Sequence, residues 1–140
     1  MSENDMKFVV VLNRSYELSR LTSGLGHATA GLVASLAQDV DKLSFVEYTS
    51  SDGQPYPWIS DYPFITLKGR GGQMQTFREN LIFRGLPCVT YLDTMLAGGS
   101  VAQQEATSQR SSAELTPLVV ATFGPSADLN EMTKKFSVWQ

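Results

Sequence analysis

Cysteine and histidine are nearly absent from this chain, whose 140 residues contain one of each, Cys88 and His27. That scarcity excludes an internal disulfide and every closed Cys/His zinc site, and it gives no sign of an oxidising compartment. Cys88 sits in the apolar run Pro87 to Leu92, where it reads as a small strand hydrophobe rather than a reactive thiol. Long apolar runs are missing too. The longest, Phe8 to Leu12, falls far short of the roughly 20 residues that a membrane-crossing helix needs. The opening MSENDMK is acidic and polar, unlike a secretory leader. A cytoplasmic protein without a membrane partner is expected. Charge is also sparse, at 18% of residues with a formal net value of -3. An acidic domain has no general attraction for polyphosphate, so a nucleic-acid partner would require a local basic patch. No loop clusters carboxylates at cation-binding spacing, and neither a metal nor a cofactor is expected.

What remains is globular composition, 42% hydrophobic, in a length that suits one domain over residues 1–140. Lys7 to Leu12 (KFVVVL) reads as a central strand buried on both faces. Leu25, Ala28, Leu32, Leu36 and Val40 recur at helical spacing and predict a helix over 23–40, capped by Thr22 or Ser23. A strand is expected over 45–49. Asp52-Gly53 and the prolines at 55, 57 and 63 read as a turn and an irregular loop. A short strand at 64–67 runs into KGRGG. Met74, Phe77 and Leu81 then mark a helix over 73–84, stopped by Gly85 and Pro87. Strands follow at 89–92 and 118–123. Between them, residues 97–114 are rich in Gly, Ser, Gln and Ala and read as a mobile excursion or a marginal helix. A helix over 128–135 and an edge strand over 136–139 complete an α/β pattern, predicting a mixed β-sheet with helices packed on its faces.

In such sheets ligands gather beyond the carboxyl ends of strands and at helix N-termini. The turn after the first strand offers Asn13, Arg14 and Arg20, and the next helix offers Gly24 and His27. Close to a helix N-terminus the neutral imidazole is favoured, suiting His27 to a general base or a substrate hydrogen bond; a packing role is the plainer alternative. In KGRGG, Lys68 and Arg70 add charge to a glycine loop in which Gly71 frees the backbone to cradle an anion. A simple tight turn is the plainer reading of these glycines. Asp93 and Thr94 end a strand, where Asp93 could orient a water or cap the next turn. Tyr56 and Trp58 could line a pocket or an interface. There is no GxSxG elbow and no triad.

Three segments together resemble the class II peptidyl-tRNA hydrolases. KFVVVL followed by GLGHA aligns His27-Ala28 with that family's Gln-x-x-His-Ala element. FRGLPCVTYLDT supplies Gly85, Leu86, Pro87 and Asp93, and LVVATFGPSADLNEMTKKFSVW fits the family's closing strand, helix and strand. The resemblance implies a class II peptidyl-tRNA hydrolase-like fold. It also places Arg20 where the family carries its catalytic lysine and Gly24 where it carries glutamine. A guanidinium stays protonated, so Arg20 can clamp an anion but cannot shuttle a proton. The stretch SSDGQPYPWISDYPFITLKG is similar to the family called domain of unknown function 2000, and membership there is expected.

The combined expectation is a domain that binds a small anionic or nucleotide-like ligand among His27, Arg20, the KGRGG loop and Asp93, without lysine-dependent hydrolysis. One alternative is an active peptidyl-tRNA ester hydrolase with His27 and Asp93 as catalytic groups. Another is a non-enzymatic homodimer that presents the Tyr56/Trp58 loop.

Overall fold

A computed structural model describes residues 5–38 and 43–139. The central strand β1 (Met6–Asn13) buries every side chain from Phe8 onward. It pairs in parallel with β4 (Phe64–Gly69) and antiparallel with β6 (Pro117–Pro125). The five-stranded mixed sheet is completed by β5 (Cys88–Leu92) beside β6 and by β7 (Ser137–Val138) beside β4, giving the order β5-β6-β1-β4-β7. Alternation along β1 sends Phe8, Val10 and Leu12 into one core and Val9 and Val11 into another. Helix α1 (Leu18–Ser35) covers the first with Leu21, Ala28 and Leu32. Helix α2 (Gly71–Phe83) covers the second with Met74, Phe77 and Leu81, joined by Leu129 of α4 (Ser126–Met132). The expected mixed sheet with helices on its faces is therefore present, and no helix among the described residues is long and apolar enough to cross a membrane.

Four local expectations differ from the structure. Helix α1 starts at Leu18 rather than Ser23, with no side-chain cap, because fully buried Leu21 carries the apolar stripe one turn further back. Val40, at the expected end of this helix, lies outside the described residues. Pro55–Ser60 is a strand, β3, paired with β2 (Phe45–Thr49), where an irregular loop was expected. Its prolines occupy the two places a ladder tolerates: Pro55 opens the strand and Pro57 falls where the register shifts. In that shift Trp58 adopts φ 64, a left-handed conformation that costs a bulky residue about 1–3 kcal/mol. Third, of the two readings of residues 97–114 the marginal helix stands and the mobile excursion does not: α3 (Ser100–Ser108) is held by polar contacts rather than by buried side chains. The Gln103 amide nitrogen donates to the carbonyls of Met95 and Gly98 at 3.1 and 2.9 Å, and the Thr94 and Thr107 hydroxyls lie 2.6 Å apart. Last, α4 begins and ends earlier than expected, and Lys134 pairs with Glu131 beyond its end.

Gly69 shows how tightly the sheet and the chain end fit. A Cβ there would lie 2.5 Å from ring carbons of Phe136, which itself packs edge-on against Phe77. Because β4 is fixed between β1 and β7, Gly69→Ala is expected to destabilise the fold by about 1–3 kcal/mol. Urea denaturation should show a lower midpoint with an unchanged slope.

Candidate functional site

Residues from four separate stretches meet where β1, β4 and β5 end and β6 begins. Asn13 is buried there, donating from Nδ2 to the Pro117 carbonyl at 2.9 Å and accepting the Ser15 amide at Oδ1. Gly71, opening α2, stands against Asn13 and Thr116. Asp93 follows β5 in a 3-10 turn, Asp93–Met95. Its carboxylate accepts from the Thr116 amide at 3.1 Å and from the Arg110 guanidinium at 3.0 Å, while its own amide donates to the Thr116 carbonyl. Asn13, Gly71 and Asp93 thus share one rim, where Asn13 and Asp93 serve as braces between strand ends.

His27 does not touch that rim through a hydrogen bond. It is the tenth residue of α1, more than two turns in, so it does not lie beside that helix's N-terminus as expected. Its exposed imidazole lies parallel to the Tyr91 ring at 6.2 Å between centroids, and it makes no hydrogen bond among the described residues. The Tyr91 ring is fixed from two sides. Its hydroxyl donates to the Met95 carbonyl at 2.7 Å, and Gly24 on α1 leaves the room it needs, since a Cβ there would come within 2.5 Å of the ring. Gly24 is therefore a packing position for Tyr91.

Between α1, β5 and α3 lies an open cavity of about 490 Å³, lined by His27, Val89, Tyr91, Met95, Ser100 and Gln103 among others. The size suits a small molecule. The cavity runs along the free edge of β5, an outer strand of the sheet, where an unpaired strand edge offers backbone donors and acceptors. Ser100 also brings in the first turn of α3, which holds no acidic residue and whose cap, Gly99, contributes no side-chain bond. Tyr91, Met95, Ser100 and Gln103 were not singled out from the sequence. The available signal was a tyrosine near a strand end facing a helix glycine; the polar composition of 97–114 concealed the rest.

The cations of the expected site divide between two places. Arg20 lies exposed near the start of α1, its guanidinium carbon 6.0 Å from the Tyr16 ring centre. Lys68 is half-buried in β4 opposite Leu12, on the sheet face that α1 covers. Arg70 caps α2 with its amide directed at the Gln73 side chain. Arg14 reaches the same corner, its amide donating to the Gly69 carbonyl at 2.8 Å. Of the two readings of KGRGG, an anion cradle or a tight turn, a cradle built on left-handed glycines is not formed: neither Gly71 nor Gly72 has a positive φ. Thr94 is engaged with Thr107. Among the described residues no three of His, Cys, Asp and Glu gather in metal-binding reach.

Cys88 lies on β5, its sulfur 3.9 Å from the Thr90 hydroxyl. Burial pushes its thiol above the ordinary range, and the Thr90 contact and the Arg78 charge offset this only in part. Iodoacetamide at neutral pH should therefore alkylate it roughly tenfold more slowly than a free cysteine, with full reactivity returning in urea. Mass spectrometry follows both rates.

These features define a class: a three-layer α/β domain with a ligand-sized cavity beside an open sheet edge. A family model described as Protein of unknown function (DUF2000) matches residues 6–140. The chain belongs to that family, as the SSDGQPYPWISDYPFITLKG stretch led us to expect. A solved structure, the Protein of Unknown Function Atu0240 from Agrobacterium tumefaciens strain C58, superposes with a TM-score of 0.81 over 97% of this chain and 98% of that one. At 16% identity the likeness is one of fold. No match is found among the curated proteins.

Proposed function

We propose that this chain is a binding domain for a small anionic or nucleotide-like molecule seated in the cavity beside His27. The cavity carries the proposal, because it combines two kinds of wall. Val89, Tyr91 and Met95 offer an apolar bed, while His27, the Ser100 hydroxyl and the first-turn amides of α3 offer hydrogen bonds and positive potential. A molecule with a flat or apolar body and an anionic end fits that division. Arg20, permanently charged near the start of the same helix as His27, adds attraction for the anion. In this proposal Asn13, Gly71, Asp93 and Thr94 hold the rim in shape, while Lys68 and Arg70, at the end of β4 three strands away from β5, take no part in the cavity.

We also infer that the fold is class II peptidyl-tRNA hydrolase-like. The order KFVVVL, GLGHA, GLP and LVVATFGP, carried by β1, α1, the α2 to β5 turn and β6, supports it. Peptidyl-tRNA hydrolysis itself draws less support. Asp93 is already engaged by Arg110 and the Thr116 amide, no hydrogen bond joins it to His27, and arginine stands at the position of the family lysine.

Calorimetric titration with mononucleotides, aminoacyl-nucleotide analogues and small carboxylates tests the proposal. At least one class should bind, and His27→Ala should weaken it about tenfold, or ~1.4 kcal/mol. Gly24→Ala should weaken the same ligand by displacing Tyr91, whereas Lys134→Ala, beyond α4, should change nothing. No heat from any probe at millimolar concentration, or binding indifferent to His27 and Gly24, would overturn it.

A further inference from the structure

Among the described residues, the two strands of the β2–β3 hairpin pair with each other and share no appreciable contact with another element. A lone two-stranded ribbon is marginal in water unless something packs on it. This one instead exposes Tyr48, Tyr56, Trp58 and Ile59, each more than half open to solvent, with Trp58 at 74%. Trp58 is also the residue held in the left-handed conformation, edge-on to Phe45. A bulky aromatic kept strained and exposed has the character of a contact surface.

Charge indicates what the surface meets. From Phe45 to Asp61 the chain carries Glu47, Asp52 and Asp61 and neither Lys nor Arg. Such an arm repels nucleic acid and anionic lipid and favours a cationic partner. The molecule has such a surface at the far end of its own sheet. The hairpin joins the fold where β4 begins, at Phe64, whereas the backbones of Arg14, Lys68 and Arg70 come together where β4 ends, six residues and about 20 Å away. None of these three cations makes an ion pair among the described residues; Glu17 is the nearest carboxylate along the chain. Pro55 and Pro57 on β3 oppose sheet extension along that strand, so contact would run through side chains.

We propose that two copies of this chain associate, the acidic aromatic hairpin of each lying against the Arg14/Lys68/Arg70 corner of the other. A reciprocal exchange of this kind closes on itself about a two-fold axis and leaves neither arm nor corner unpaired. It is independent of the His27 cavity, which lies along the opposite edge of the sheet, at β5.

Light scattering and sedimentation equilibrium of the full chain test this. The wild type should show twice the monomer mass at low salt and dissociate as salt rises from about 50 to 500 mM. Glu47→Lys with Asp52→Lys reverses the arm, and Arg14→Glu with Arg70→Glu reverses the corner; each double variant alone should be monomeric, with association at least tenfold weaker. Mixing the two should restore a dimer, because the reversed arm then meets the reversed corner and the native arm the native corner. Trp58→Ser, which keeps every charge, should also weaken association, and circular dichroism verifies that each variant is folded. A wild type monomeric at all concentrations, a dimer indifferent to these substitutions, or a mixture that stays monomeric would each overturn the proposal.

Discussion

The fold depends on keeping water from both sides of its two central strands. From Phe8 to Leu12 and from Leu118 to Ala121, no side chain is more than 2% exposed. Because strand side chains alternate, a single covering layer would leave half of these residues wet. Hence α1 must lie on one face and α2 with α4 on the other, and the connections that place them bring several strand ends to one rim. Asp93 is useful there because the ends of β5 and β6 would otherwise leave backbone groups without partners. It receives the Thr116 amide and the Arg110 guanidinium together.

The parts legible in the sequence were those governed by burial. β1 is unbroken apolar from Phe8 to Leu12, β6 is broken only by Thr122, and Met74, Phe77 and Leu81 recur on one face of α2, so local hydrophobic pattern located them. Less legible were the parts governed by contacts distant in sequence. β3 carries prolines that argue locally for a loop, and only its partner strand and bulge make them acceptable. The residues of α3 read as either a mobile excursion or a marginal helix, because their anchors are polar and lie elsewhere, in Thr94 and in the carbonyls near Met95. Of the candidate site, His27 was found for its chemistry, but its helix begins five residues earlier than the capping pattern suggested. Asn13, Gly24 and Asp93 stood out for chemistry and are seen bracing and packing, a distinction that residue type alone does not make.

Membership of the DUF2000 family and the likeness to the Atu0240 protein establish an architecture without an activity. Function must then be argued from the site. The cavity beside His27 and the hairpin beside Phe64 are where this chain departs from a purely structural logic. One leaves an imidazole without a hydrogen-bond partner among the described residues, and the other leaves four large apolar side chains in water.

The two sides of the cavity differ in how firmly they are held. Tyr91 and Val89 belong to a strand hydrogen-bonded into the sheet and packed on α1, whereas α3 buries none of its nine residues. Lifting a helix anchored by a few polar contacts takes far less free energy than unfolding the domain. Guests of different bulk would thus find one fixed surface and one yielding surface. Shape discrimination would come from the aromatic floor, and the amide end of the short helix would adjust to whatever the floor had accepted.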